Sequence, residues 1–244
     1  DLTPARSFDL LHLTGTTRAM LLDGVEVPAG EYEWVRLKVN ADPNVANDSY
    51  LVLEEGGMQC EMRVPSGDQT GLKLVRGFTV GVGSITDFTI DFDLRKSIVA
   101  PPGQNMPGGN CGGQVYTLKP VLRMVNNLEV GAIAGTVDSN LVAAECASST
   151  AAPYPGNVYL FGPLPDGVTD ITPDDYDGKE PDPNGLDALT SAVVKVDTFT
   201  YTIGFVPAGR YEVAYTCDLD DTAVDADETT TPDETVDFTP VGGI

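Results

Sequence analysis

The sequence is short of the residues on which most enzyme chemistry depends. It holds one histidine, His12, among 244 residues, so a Ser–His–Asp constellation has one place to form. No G-x-S-x-G nucleophile elbow accompanies it. There is no P-loop, and Gly81-Val82-Gly83 lacks the third glycine and following helix of a dinucleotide fingerprint. Paired glycosidase carboxylates are defined by their separation in space, which a sequence does not carry. The four cysteines include no C-x-x-C, and with a single histidine a zinc site lacks ligands. His12 itself lies in Leu10-Leu11-His12-Leu13, where a partly buried, hydrogen-bonded structural histidine is expected. Cations are scarce too: 14 Lys plus Arg against 37 Asp plus Glu give a net charge of −23. Such a surface repels nucleic-acid phosphates and anionic headgroups, which argues against both as partners. No apolar run approaches the ~18 residues of a membrane-spanning helix. These absences point away from an enzyme and from a bound cofactor.

Turn chemistry, by contrast, is plentiful. The chain has 26 Gly and 18 Pro, and its 41% apolar fraction suffices for packed cores. The periodicity is two rather than 3.6. Residues 31–39, 88–94 and 198–203 alternate apolar with polar or charged side chains, as half-buried antiparallel strands do. Further strands are expected at 50–53, 58–64, 77–80, 116–122, 130–137, 157–161 and 211–216. Gly, Pro, Asn and Asp clusters lie between them. Helix is expected only as a turn or two at 8–13 and 187–194. The fold class is therefore all-β, with two antiparallel β-sandwich domains of Greek-key, immunoglobulin- or transthyretin-like type.

Charge distribution places the boundary. Residues 1–128 hold 11 Lys plus Arg and 15 Asp plus Glu, whereas 129–244 hold 3 and 22. The division falls near Asn126-Asn127-Leu128, giving domains 1–128 and 129–244. Cysteines follow it, with Cys60 and Cys111 in one part and Cys146 and Cys217 in the other. Four cysteines allow three connectivities; Cys60–Cys111 with Cys146–Cys217 is the simplest and implies an oxidising compartment outside the cytoplasm. One motif recurs: Val27-Pro28-Ala29-Gly30-Glu31-Tyr32-Glu33 and Val206-Pro207-Ala208-Gly209-Arg210-Tyr211-Glu212. Proline presets φ and glycine permits φ > 0, so each copy reads as a tight turn that launches a strand.

Several of these segments resemble a known family. Phe8-Asp9-Leu10-Leu11, Leu21 through Tyr32 and Val35-Arg36-Leu37 are similar to exported bacterial lipoproteins that carry domain of unknown function 4382. Val64-Pro65-Ser66-Gly67, Gly71-Leu72-Lys73-Leu74, Asp91 through Ser97 and Leu118 through Arg123 continue the likeness. The second half resembles transthyretin-like, carboxypeptidase-regulatory-like modules through Gly135-Thr136-Val137, Val158-Tyr159-Leu160-Phe161 and Pro207 through Tyr211. The resemblance implies β-sandwiches, export and envelope attachment, and no catalytic residues. Relative to the family, the chain starts close to the Phe8 region and stops where a further strand is expected. An open sheet edge that recruits a strand from another subunit would follow; trimmed termini are the alternative.

The acidic loops carry the most suggestive chemistry. Asp174, Asp175, Asp177 and Asp182 in one run, and Asp218, Asp220, Asp221, Asp225 and Asp227 in another, concentrate the hard oxygen donors that Ca²⁺ takes. Neither run has EF-hand spacing, and the same residues suit a solvated acidic face. Trp34 with nearby tyrosines suggests a glycan platform, although its alternating strand fits a core or sheet-face role. Asn47-Asp48-Ser49 matches the N-glycosylation tripeptide but is expected to be unmodified. The expected function is a non-enzymatic structural subunit of an extracellular or cell-surface assembly whose partner is itself, in a filament with strand complementation. A monomeric envelope-anchored module binding calcium or a glycan is the alternative.

Overall fold

A computed structural model of the chain describes residues 6–40, 48–53, 55–65, 71–99, 111, 116–146, 155–166, 188–217 and 239–240. Contacts divide the chain into two compact units, Leu22–Asn126 and Asp1–Leu21 with Asn127–Ile244. The described residues are mostly strands in several antiparallel sheets, an all-β fold.

In the unit Leu22–Asn126, β1 (Gly30–Tyr32) pairs with β6 (Phe78–Val80), and β2 (Val35–Leu37) with β5 (Leu72–Leu74). β7 (Phe88–Phe92) pairs with β10 (Leu122–Asn126). A four-stranded sheet runs β3 (Tyr50–Val52), β4 (Gln59–Arg63), β9 (Tyr116–Leu118), β8 (Ile98–Val99). Its β4–β9 pair is parallel. Alternation decides which side faces inward. Leu72 and Leu74 are buried while Lys73 is exposed, and Leu37 joins Val64, Leu72 and Leu118 in the core with Met62, Phe92 and Ile98. One helical turn, α1 (Leu94–Ser97), is capped by the Asp93 carboxylate, which accepts from the Lys96 amide.

In the other unit, β11 (Val130–Thr136) pairs with β14 (Thr200–Pro207). A second sheet runs β13 (Ala188–Val193), β12 (Asn157–Phe161), β15 (Glu212–Thr216), β16 (Thr239–Pro240). β12 is buried along its whole length. Val158 and Leu160 join Val137, Ile203, Val206, Val213 and Tyr215 in the main core, while Tyr159 and Phe161 pack with Ala188 and Ala214 in a smaller cluster.

Two helical expectations need correction. Residues 187–194 were expected to make a helical turn, yet Ala188–Val193 is β13, laddered to β12 from Asn157↔Val193 to Phe161↔Ala188. The ladder supplies backbone partners and buries Ala188, which outweighs the weak helix preference of Ala and Leu. The longest described helix, α2 (Ser139–Glu145), was not expected. Asp138 starts it by accepting from the Asn140 amide at 2.7 Å, and Val142 anchors it in the core.

Candidate functional site

The most exposed long strand is β11, Val-Gly-Ala-Ile-Ala-Gly-Thr, and its composition sets its behaviour. It contains no charge and no proline, the two residue classes that blunt sheet edges. Ile133 points into the core, while Gly131, Ala132, Ala134 and Thr136 are exposed. Among the described residues β14 is its one ladder partner. The register slips between Gly131 and Ile133, where Gly204 and Phe205 together oppose Ala132. Phe205 closes this bulge with φ 57, a left-handed conformation that a bulky residue holds at a cost.

The segment around Gly15 lies on the outward side of β14. A Cβ on Gly204 would collide with the Gly15 carbonyl oxygen, so glycine is what admits this backbone. Beside it, Thr16, Arg18, Asn127, Val130, Gly131, Ala132 and Phe205 line a shallow depression of about 370 Å³. Arg18 is the one ionisable group among its described lining residues. On the inward side of β14, burial raises the Tyr201 hydroxyl pKa by penalising the charged phenolate.

Both disulfides pair the cysteines within each part, with Cα–Cα distances of 5.5 Å for Cys60–Cys111 and 5.2 Å for Cys146–Cys217. The repeated motif forms the same hydrogen bond twice. Tyr32 donates to the Pro28 carbonyl at 2.8 Å and Tyr211 to the Pro207 carbonyl at 2.9 Å, each closing its own turn. A tyrosine hydroxyl returned to a backbone carbonyl a few residues upstream is the geometry of a tyrosine corner.

Other candidates fare differently. Asp174, Asp175, Asp177, Asp182, Asp218, Asp220, Asp221, Asp225 and Asp227 lie outside the described residues, as do Asn47 and residues 100–110. Among the described residues no group of three metal-capable side chains occurs. His12 is exposed, not partly buried: its one-turn 3-10 segment, Leu10–His12, faces solvent, and its Nδ1 lies 2.7 Å from Asp9 Oδ2. Trp34 is on an exposed sheet face, with Arg36 and Lys73 over its ring. That grouping escaped the sequence reading because residues 36 and 73 meet only through the β2–β5 register.

Residues 2–120 match the family model named Domain of unknown function (DUF4382). The match supports the first domain and, by its own description, brings no activity with it. No curated protein and no solved structure matches the chain. No helix among the described residues is long and apolar enough to cross a membrane.

Proposed function

We propose that this chain is a non-enzymatic, exported structural subunit that assembles with copies of itself through β-strand pairing, its two domains being β-sandwiches of the DUF4382 and transthyretin-like kinds. The observation that carries this reading is β11. Beyond its bulge, Ile133–Thr136 forms a regular uncharged run whose exposed side chains, Ala134 and Thr136, are small, a pattern that suits strand addition. Two disulfides favour an extracytoplasmic site of assembly. Among its described lining residues the depression beside β11 has Arg18 as the one ionisable group and no acid–base pair, which favours a surface for association over a catalytic cleft.

The test uses the full chain in light scattering and negative-stain electron microscopy over a concentration series. Ordered polymers are expected, together with monomers for Ala132→Lys and Ala134→Lys at unchanged circular dichroism. A wild-type chain that stays monomeric throughout, or lysine variants that polymerise equally well, would refute the reading. A chelator arm tests calcium: loss of polymers in EDTA, restored by Ca²⁺, assigns the acidic loops a structural ion.

A further inference from the structure

The outward face of the β2–β5 ribbon is built from cations and apolar groups alone. Trp34, Arg36 and Lys38 alternate outward on one strand and its flanks, and Lys73 and Val75 do so on the other. Val35, Leu37, Leu72 and Leu74 take the inward positions. Arg36 stands directly opposite Lys73 in the ladder. Like charges so placed repel, and the usual remedy is a neighbouring carboxylate. None is supplied: among the described residues Arg36, Lys38 and Lys73 make no ion pair. Instead both cations hover over one indole, Arg36 Cζ at 5.1 Å and Lys73 Nζ at 5.5 Å from its centroid. The ring's negative face holds them together without neutralising them. Trp34 remains 45% exposed and Val75 76% exposed.

We infer that this face binds an acidic oligosaccharide, its sugar carboxylates seated between Arg36 and Lys73 and its C–H faces against Trp34 and Val75. The Arg36 guanidinium offers a fork that matches a carboxylate, and Lys73 adds a point charge beside it. The flat ribbon has no walls to enclose a small molecule, so it suits an extended chain lying along it. Lys38, just past the end of β2 and two residues from Arg36, continues the cationic row by roughly 7 Å. Nucleic acid is the poorer polyanion here, because a duplex carries a charge about every 1.7 Å and the whole chain stands at −23. A glycan with one carboxylate per sugar engages the local cations at far lower charge density.

Affinity electrophoresis of the full chain through gels containing polygalacturonate tests this, with fully methyl-esterified pectin and poly-glutamate as comparisons. Retardation by polygalacturonate alone is expected. It should fall at least tenfold in Arg36→Gln/Lys73→Gln and less in Lys38→Gln. Because the double variant removes the Arg36–Lys73 repulsion and the cation–π contacts together, its Tm should stay close to wild type, so that lost retardation reports lost binding and not unfolding. No retardation by polygalacturonate, equal retardation by esterified pectin, or a double variant that binds normally would overturn the inference. Preference for poly-glutamate would overturn it in favour of an acidic protein partner.

Discussion

Replacing Tyr211 by Phe, and separately Tyr32 by Phe, removes the same hydrogen bond from two settings. Tyr211 is 3% exposed and donates at 2.9 Å to Pro207, inside the core of its unit. Deleting its hydroxyl forfeits about 1 kcal/mol of net hydrogen bonding and leaves the half-buried Pro207 carbonyl partly shielded from water, for a total near 2 kcal/mol. Tyr32 donates at 2.8 Å to Pro28 in an exposed setting, where water takes the vacated acceptor, so the loss should stay near 0.5 kcal/mol. Its ring keeps the stacked contact with Phe78, 5.0 Å between centroids, in either form. At roughly 4 °C per kcal/mol, the expected Tm shifts are about 8 °C and about 2 °C. The assay can separate the units, because Trp34 is the one tryptophan and belongs to Leu22–Asn126. Tryptophan fluorescence in a urea titration should register Tyr32→Phe and not Tyr211→Phe, while far-ultraviolet circular dichroism registers the larger loss. Equal costs for the two variants would refute the claim that burial, and not the motif, sets the worth of this bond.

Two further perturbations have worked magnitudes. Opening Cys60–Cys111 or Cys146–Cys217 by paired Ser substitution frees loops of 51 and 71 residues, worth about 4 kcal/mol each in the chain-entropy account. Urea midpoints that barely move would show that those loops are already constrained in the unfolded chain. The Tyr201 hydroxyl, raised by burial, makes stability fall in alkali: below about pH 10 both folded and unfolded chains hold the proton, and above it the unfolded chain releases it first. Tyr201→Phe should flatten that decline between pH 10 and 12 in urea midpoints, and an unchanged slope would assign the effect elsewhere.

Alternation was the legible part of the sequence. Phe88–Phe92, Asn157–Phe161 and the first half of Thr200–Pro207 lie where period-two patterns or apolar runs placed strands, because local side-chain direction is a local property; β14 runs on through Val206-Pro207, which in the sequence reads as turn. Pairing is not local. The meeting of Arg36 with Lys73, and of β13 with β12, depends on ladders closed across long loops, so the cationic face and the true state of Ala188–Val193 were hidden. The proposed edge role of β11 was half visible, since its lack of charge is written in the sequence while its having β14 as one ladder partner among the described residues is not.

The repeated Val-Pro-Ala-Gly-x-Tyr-Glu motif shows where local coding stops. In both copies the tyrosine hydroxyl returns to the carbonyl of the motif's own proline, four residues back. Yet the strand starts differ: β1 begins at the motif's glycine, Gly30, whereas β15 begins after the tyrosine, at Glu212. β1 begins early because Gly30 finds Val80 across the ladder, and β15 begins late because its register on β12 opens with Phe161↔Glu212. The turn and its hydrogen bond therefore belong to seven residues, and the strand belongs to its partner. By the same reasoning, in the proposed strand-sharing assembly the outer side of β11 takes its register from the strand offered to it, so a single lysine at Ala134, which leaves the β14 ladder in place, is expected to abolish any polymers the wild-type chain forms.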